Sequence, residues 1–231
     1  MKRRRPRQTE MSLIPAGRGG WRPGAGRKPR RGARVLHRAR ERIPGHCPVH
    51  VTVRIRRGTP SLRQRPFVRA FKDSLAQCCV REGFRVVHYS IQRDHLHFLV
   101  EAQGKGALGR GMKSLSARIG RCANRVFGRR GPVLDGRYHH RVLRGPREVR
   151  HALAYVLLNA RHHFHERHGR PPPDSRPDAA SSAAWFHGWK RPQPMPPPGG
   201  VMEVAAARTW LLCRGWRRYG LIDSAETPGR S

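Results

Sequence analysis

The stretch FRVVHYSIQRDHLHFLVEA, residues 84–102, decides the fold. Two runs rich in Val, Phe, Tyr and Ile are separated by the polar pair Arg93-Asp94. That pattern predicts an antiparallel hairpin with strands at 84–92 and 95–102. Alternate residues of a strand share a face, so His95 and His97 project side by side while Leu96, Phe98 and Val100 point to the opposite, core-facing side. Two imidazoles on a rigid strand are a bidentate start for a divalent metal. Taken alone, H-x-H is a short motif, and two surface histidines on a half-exposed strand are its commoner meaning.

Working outward, PVHVTVRIR (48–56) alternates strictly, with Val49, Val51, Val53 and Ile55 on one face, and reads as a strand. Residues 63–83 place Phe67, Ala70, Phe71, Leu75, Cys78 and Cys79 at helical spacing and end at Gly83, which suits a helix C-terminus. Residues 105–128 read as a helix interrupted by glycines, 135–144 as a fourth strand, and 146–169 as the clearest helix, from Pro146 to Gly169. The order β α β β α β α predicts an α+β domain with a ferredoxin-like antiparallel sheet and one added helix.

The flanks differ in composition. Residues 1–45 are rich in Arg, Gly and Pro and are expected to form a basic disordered arm, with the regular domain at 46–168. Residues 169–200 carry PPP twice and read as a Pro-rich linker, and 201–231 as a short helical C-terminal element. Lys and Arg number 49 against 14 Asp and Glu, a formal net charge of +35. Solubility does not need so large an excess, which implies a polyanionic partner, nucleic acid by default. The five cysteines show no C-x-x-C spacing, so neither a zinc ribbon nor a disulfide framework is supported, and a reduced, cytoplasmic protein is expected. The basic N-terminus lacks the apolar segment of a secretory signal, and no run approaches the roughly 18–20 apolar residues of a membrane span.

The last predicted helix adds a second constellation. Val149, Leu153, Val156, Leu157 and Ala160 form an apolar stripe, while Tyr155 and Asn159 lie one turn apart on the other side, with His151 and His162 beside them. An ordinary solvated helix face would account for these residues taken by themselves. Tyr138, between Arg137 and His139, is the competing tyrosine, whereas Tyr89 falls in a predicted strand and Tyr219 in the tail.

Together, H-x-H in HLHFLV, AYVLLN (154–159) in a helix after the fourth strand, and DGRYHHRVLR before that helix resemble the single-tyrosine HUH endonucleases. The likeness is greatest to insertion-sequence transposases and REP-associated tyrosine transposases, and it covers about residues 48–168. The resemblance implies an HUH endonuclease fold, His95, His97 and Asn159 as ligands of Mg²⁺ or Mn²⁺, and Tyr155 as nucleophile. It further implies cleavage and joining of single-stranded or hairpin DNA through a 5′-phosphotyrosine intermediate. Two positions depart from the family pattern: Ala160 stands where Pro often follows the asparagine, and Arg93-Asp94 stand where Pro-Glu or Pro-Asn often precede the histidines. Lys113, Arg118, Arg121 and Arg125 on the second helix, with Arg137 and Arg141 on the fourth strand, are the expected DNA contacts. The alternative is an inactive module that grips hairpin DNA or RNA. No membrane partner is expected, and both a monomer and a homodimer are compatible with the sequence.

Overall fold

A computed structural model describes residues 42–174, 176–194, 196 and 201–229. Most of the expected basic arm, residues 1–41, lies outside the described residues. The elements run β1 (Val49–Arg54), α1 (Arg65–Ala76), β2 (Val80–Arg81), β3 (Phe84–Ile91), β4 (His95–Ala102), α2 (Gly104–Val126), β5 (His139–Val142), α3 (Pro146–Leu157), α4 (Asn159–His168) and α5 (Trp210–Cys213). Short 3-10 turns occur at Ala183–Trp185 and Gly215–Tyr219.

The strands form one five-stranded sheet in the order β2-β3-β4-β1-β5, and every pairing is antiparallel. The hairpin expected at 84–102 forms, with Gln92 N donating to His95 O at 2.9 Å across the turn. The fold is therefore α+β, with the H-x-H strand central. Leu96, Phe98 and Val100 are fully buried under α1 and α2; Phe98 meets Phe71 edge-on at 6.3 Å, and Phe67 stacks on Phe71 at 5.9 Å. Burying such a side chain is worth roughly 1.5–3 kcal/mol.

Several local expectations change. The helix expected to end at Gly83 stops at Ala76, and a short strand, β2, follows it. Gly83, at φ +64°, instead supplies the left-handed residue of the tight β2–β3 turn. The glycines of 104–126 do not interrupt α2, which is one continuous helix. Gly111 is needed there, because a Cβ would lie 2.3 Å from Phe84 Cγ. The fourth strand is shorter than 135–144. The last helix changes direction at Leu158 (φ −109°, ψ 16°), so that Asn159 opens α4. Pro146 at the start of α3 and Gly169 after α4 fall where expected, and Glu148 accepts from the Arg144 and Gly145 amides at the α3 N-terminus.

The C-terminal segment packs as part of the core. Ser181 bridges to Ser90, Ile91 N donates to Ala180 O at 2.8 Å, and Ala205 N donates to Val86 O at 2.8 Å. These bonds cover the outer edge of β3, which would otherwise present unpaired backbone groups. Trp216 is 1% exposed, and the turn carrying it, together with α5, packs on α3. Consequently α3 is buried on more than one side, at Val149, Ala152, Leu153, Ala154, Val156 and Leu157. Tyr155 and Asn159 therefore do not sit on an outward, solvated face: Tyr155 is half-buried and Asn159 fully buried. All five cysteines are free thiols. Among the described residues no helix is long and apolar enough to cross a membrane.

Candidate functional site

The site begins with strand register. Thr52 lies opposite His97, Arg54 opposite His95 and His50 opposite Leu99, and residues directly opposite in an antiparallel pair share a face. The polar half of the β1 alternation therefore joins the histidine face of β4. His97 Nδ1 is 3.1 Å from His50 Nε2 and 3.2 Å from Thr52 Oγ1. His97 is 4% exposed, and its Nε2 has no hydrogen-bond partner. His95 Nδ1 lies 2.8 Å from Asp94 Oδ1. A carboxylate only accepts, so the imidazole proton sits on Nδ1 and the Nε2 lone pair is left for another group.

Helices α3 and α4 close the cluster. The Tyr155 ring lies 5.2 Å from His97, 5.9 Å from His50 and 5.7 Å from His162. His163 lies 5.6 Å from His95. Glu166 holds two of these rings, with His163 Nδ1 at 3.1 Å from one oxygen and His162 Nε2 at 3.3 Å from the other. His163 Nε2 is buried without a partner. Asn159 is 0% exposed, and neither its amide oxygen nor its amide nitrogen has a hydrogen-bond partner. An unsatisfied buried amide costs about 1–3 kcal/mol for each group left bare, so such a residue calls for a partner the chain itself does not supply.

Burial sets the charge state. Loss of solvent, with His50, His95 and His163 nearby, pushes the pKa of His97 down to about 2, and burial with Arg141 and His139 nearby pushes that of His50 down to about 4. His163 is lowered too, chiefly by burial. At neutral pH these three rings are uncharged and can donate lone pairs. Neutral imidazole nitrogens and an amide oxygen fit a divalent cation. The donors with buried, unpartnered atoms are His97, Asn159 and His163, and His95 has Nε2 oriented by Asp94. Separately, ligand atoms of His162, His163 and Glu166 all lie within 4.8 Å of one another.

His50 was not singled out by sequence reasoning as a neighbour of the pair. The signal for His50 was the polar alternation His50, Thr52, Arg54 in β1. Other expected residues lie elsewhere. Lys113, Arg118, Arg121 and Arg125 are on α2, in the layer covering the opposite face of the sheet from the histidines. Lys113, Arg121 and Arg125 are exposed, but Arg118 bonds Ser74 of α1. Arg137 and Arg141 are exposed near β5, and Arg141 pairs with Glu148 at 3.0 Å. Tyr138 is half-buried beside His140, with rings 6.1 Å apart, and Tyr89 OH donates to Glu203 at 2.9 Å. Beside His95 and His163 a cleft of about 730 Å³ is lined by Arg93, Arg161 and Arg167 among others.

Residues 45–139 match the family model described as Transposase IS200 like, in agreement with the resemblance read from the sequence. The match includes β4 with its histidines and ends before α3. Two solved structures are similar. One is a REP-associated tyrosine transposase bound to a REP hairpin, 14% identical, with a TM-score of 0.43, covering 58% of this chain and 75% of the other. The second is a candidate transposase from Deinococcus radiodurans R1, 16% identical, with a TM-score of 0.36, covering 42% of this chain and 78% of the other. Among curated proteins none matches.

Proposed function

We propose that this protein cuts and rejoins single-stranded or hairpin DNA, with Tyr155 as nucleophile and His95, His97 and Asn159 as ligands of a divalent metal. The family match of residues 45–139 supports an enzyme acting on DNA. The observation that carries the finer reading is Asn159, fully buried one turn beyond Tyr155 with both amide atoms unpartnered. A cation held by Oδ1 would satisfy the acceptor half of that amide.

Tyr155 Oη attacks the backbone phosphorus, the P–O3′ bond breaks, the 3′-oxygen leaves as a hydroxyl, and the 5′-phosphate stays on Tyr155. Attack by a 3′-hydroxyl on the same phosphorus reverses the step and joins strands, so the phosphodiester energy is conserved. Bound Mg²⁺ or Mn²⁺ would polarise the phosphate oxygen and neutralise its developing charge. Asp94 orients His95, and His50 with Thr52 orients His97. Because burial keeps His97 and His50 neutral, protons do not compete for their nitrogens at neutral pH. Arg93, Arg161 and Arg167, along the adjoining cleft, supply positive potential for the strand.

The test is cleavage of a labelled hairpin oligonucleotide with Mn²⁺ or Mg²⁺. Tyr155→Phe should lower cleavage by at least about a thousandfold. Asn159→Ala should lower activity or metal affinity about 10–100-fold, and chelation should abolish cutting. Undiminished cutting by Tyr155→Phe contradicts the assignment.

A further inference from the structure

At the far end of β4 from His95, about 23 Å away at ~3.3 Å per residue, a second cleft of about 610 Å³ opens between the β2–β3 turn and the segment Arg208–Trp210. The geometry points to a single-stranded nucleic-acid site here, in which an unstacked base packs on Trp210 and the flanking phosphates meet Arg208, Arg81 and Arg218. Trp210, Arg208 and Arg218 lie outside the segment that matches the transposase family, whereas Arg81 lies within it, and the site needs no tyrosine chemistry.

Trp210 is 48% exposed, unusual for so large an apolar group unless it meets a partner. Its position is fixed. Gly215 lies directly against the indole, where a Cβ would come within 2.6 Å of Cζ3, so only glycine allows this approach. Arg218 places its guanidinium 4.9 Å from the ring centroid. The segment is pinned to the end of β4, because Glu101 accepts from the Arg208 and Thr209 amides at 2.7–3.0 Å and from Thr209 Oγ1 at 2.8 Å. Those bonds, with Arg85 at 3.6 Å, consume the Glu101 charge. Glu82 is the other carboxylate on the lining, which also carries His46, Arg81, Arg85 and Arg208. Arg208, Arg214, Arg217, Arg218 and Tyr219 are all exposed.

An aromatic ring interleaved with arginines on a positively charged molecule selects an anionic polymer with free π-faces. Single strands offer both, since every base has a face to stack and each linkage a phosphate. A duplex keeps its bases stacked on one another and has no face for the indole. The site would hold the strand well away from the histidines, giving the protein a second grip on unpaired nucleic acid.

The test is fluorescence anisotropy of labelled oligothymidine, which forms no hairpin, with the full chain at low salt. Trp210→Ala should weaken binding about 5–100-fold, and Trp210→Phe, which keeps a stacking face, should restore most of it. Arg208→Gln should reduce the salt slope by about 0.7. Photo-crosslinking of the unaltered protein to iodo-deoxyuridine oligonucleotides should give adducts within residues 208–219, a readout that no folding defect in a variant can imitate. Wild-type affinity in Trp210→Ala, or crosslinks confined to other segments, would overturn the site. Hairpin cleavage is scored separately: a protein that binds oligothymidine through Trp210 and never cuts DNA keeps this inference and loses the nuclease reading, and the converse result does the opposite.

Discussion

His88, His50 and His97 stay neutral in the folded protein because burial strips water from the imidazolium form. Their pKa values fall to about 3, 4 and 2, each chiefly through that loss of solvent. An unfolded histidine takes up its proton near pH 6.5. Below that pH the unfolded chain binds protons that the folded chain refuses, so stability is full above pH 6.5 and falls as the pH drops towards 4. Each such histidine contributes about 1.4 kcal/mol per pH unit in that window. Denaturant titrations of metal-free protein at pH 7 and pH 5 check this. His88, whose Nδ1 is 3.1 Å from Ser182 Oγ, is not among the candidate metal ligands, so His88→Gln should flatten the dependence by one histidine's share. A pH-independent midpoint contradicts the account. At this scale the placement of His95 and His97 side by side on one strand was legible because the strand period fixes which side chains neighbour each other. His50 was not, because its proximity to the pair depends on which strand adds beside β4.

At the scale of elements, two of the glycines of α2, Gly111 and Gly109, make opposite predictions. Gly111 meets Phe84, 3% exposed and walled in by the core, so Gly111→Ala drives a methyl into an immobile ring. The clash, about 1–3 kcal/mol, outweighs the gain in helix propensity of at most about 1 kcal/mol. Gly109 has nothing within 4 Å of the added Cβ, so Gly109→Ala keeps the propensity gain and stabilises. Thermal melts of the two variants should move in opposite directions, and equal shifts would contradict the packing described. The glycines explain one difference from the sequence pattern: they looked like helix breakers, but in α2 at least one is there for a neighbouring ring. Gly83 explains another, since left-handed backbone serves a β-turn as well as a helix end. The short β2 was illegible because two residues carry no period. The β3–β4 hairpin was legible because its alternation is long and bounded by a polar turn.

Across the whole molecule, the C-terminal segment changes the picture most. Residues 169–200 read as a Pro-rich linker and 201–231 as a short helical element, yet residues 180–182 and 205 bond the free edge of β3, and Glu203 takes hydrogen bonds from both Tyr89 and Trp185. Arg150 of α3 makes a bidentate pair with Glu226 at 2.8 and 2.9 Å, and Trp216 is buried. Apart from Trp185–Glu203, these hydrogen bonds join residues more than seventy positions apart, which no local pattern encodes. They also hold α3, and so Tyr155, against the sheet from behind. The histidines, Tyr155 and Asn159 thus owe their arrangement to the family-like core and to the C-terminal cover together. The most direct test of that arrangement as a DNA-joining centre is to trap protein with a single-stranded hairpin substrate and Mn²⁺, digest the denaturant-resistant adduct and map the modified peptide by mass spectrometry. The account predicts a nucleotide on Tyr155 that disappears in His97→Ala. An adduct on Tyr138, or tight binding with no adduct at all, would contradict it.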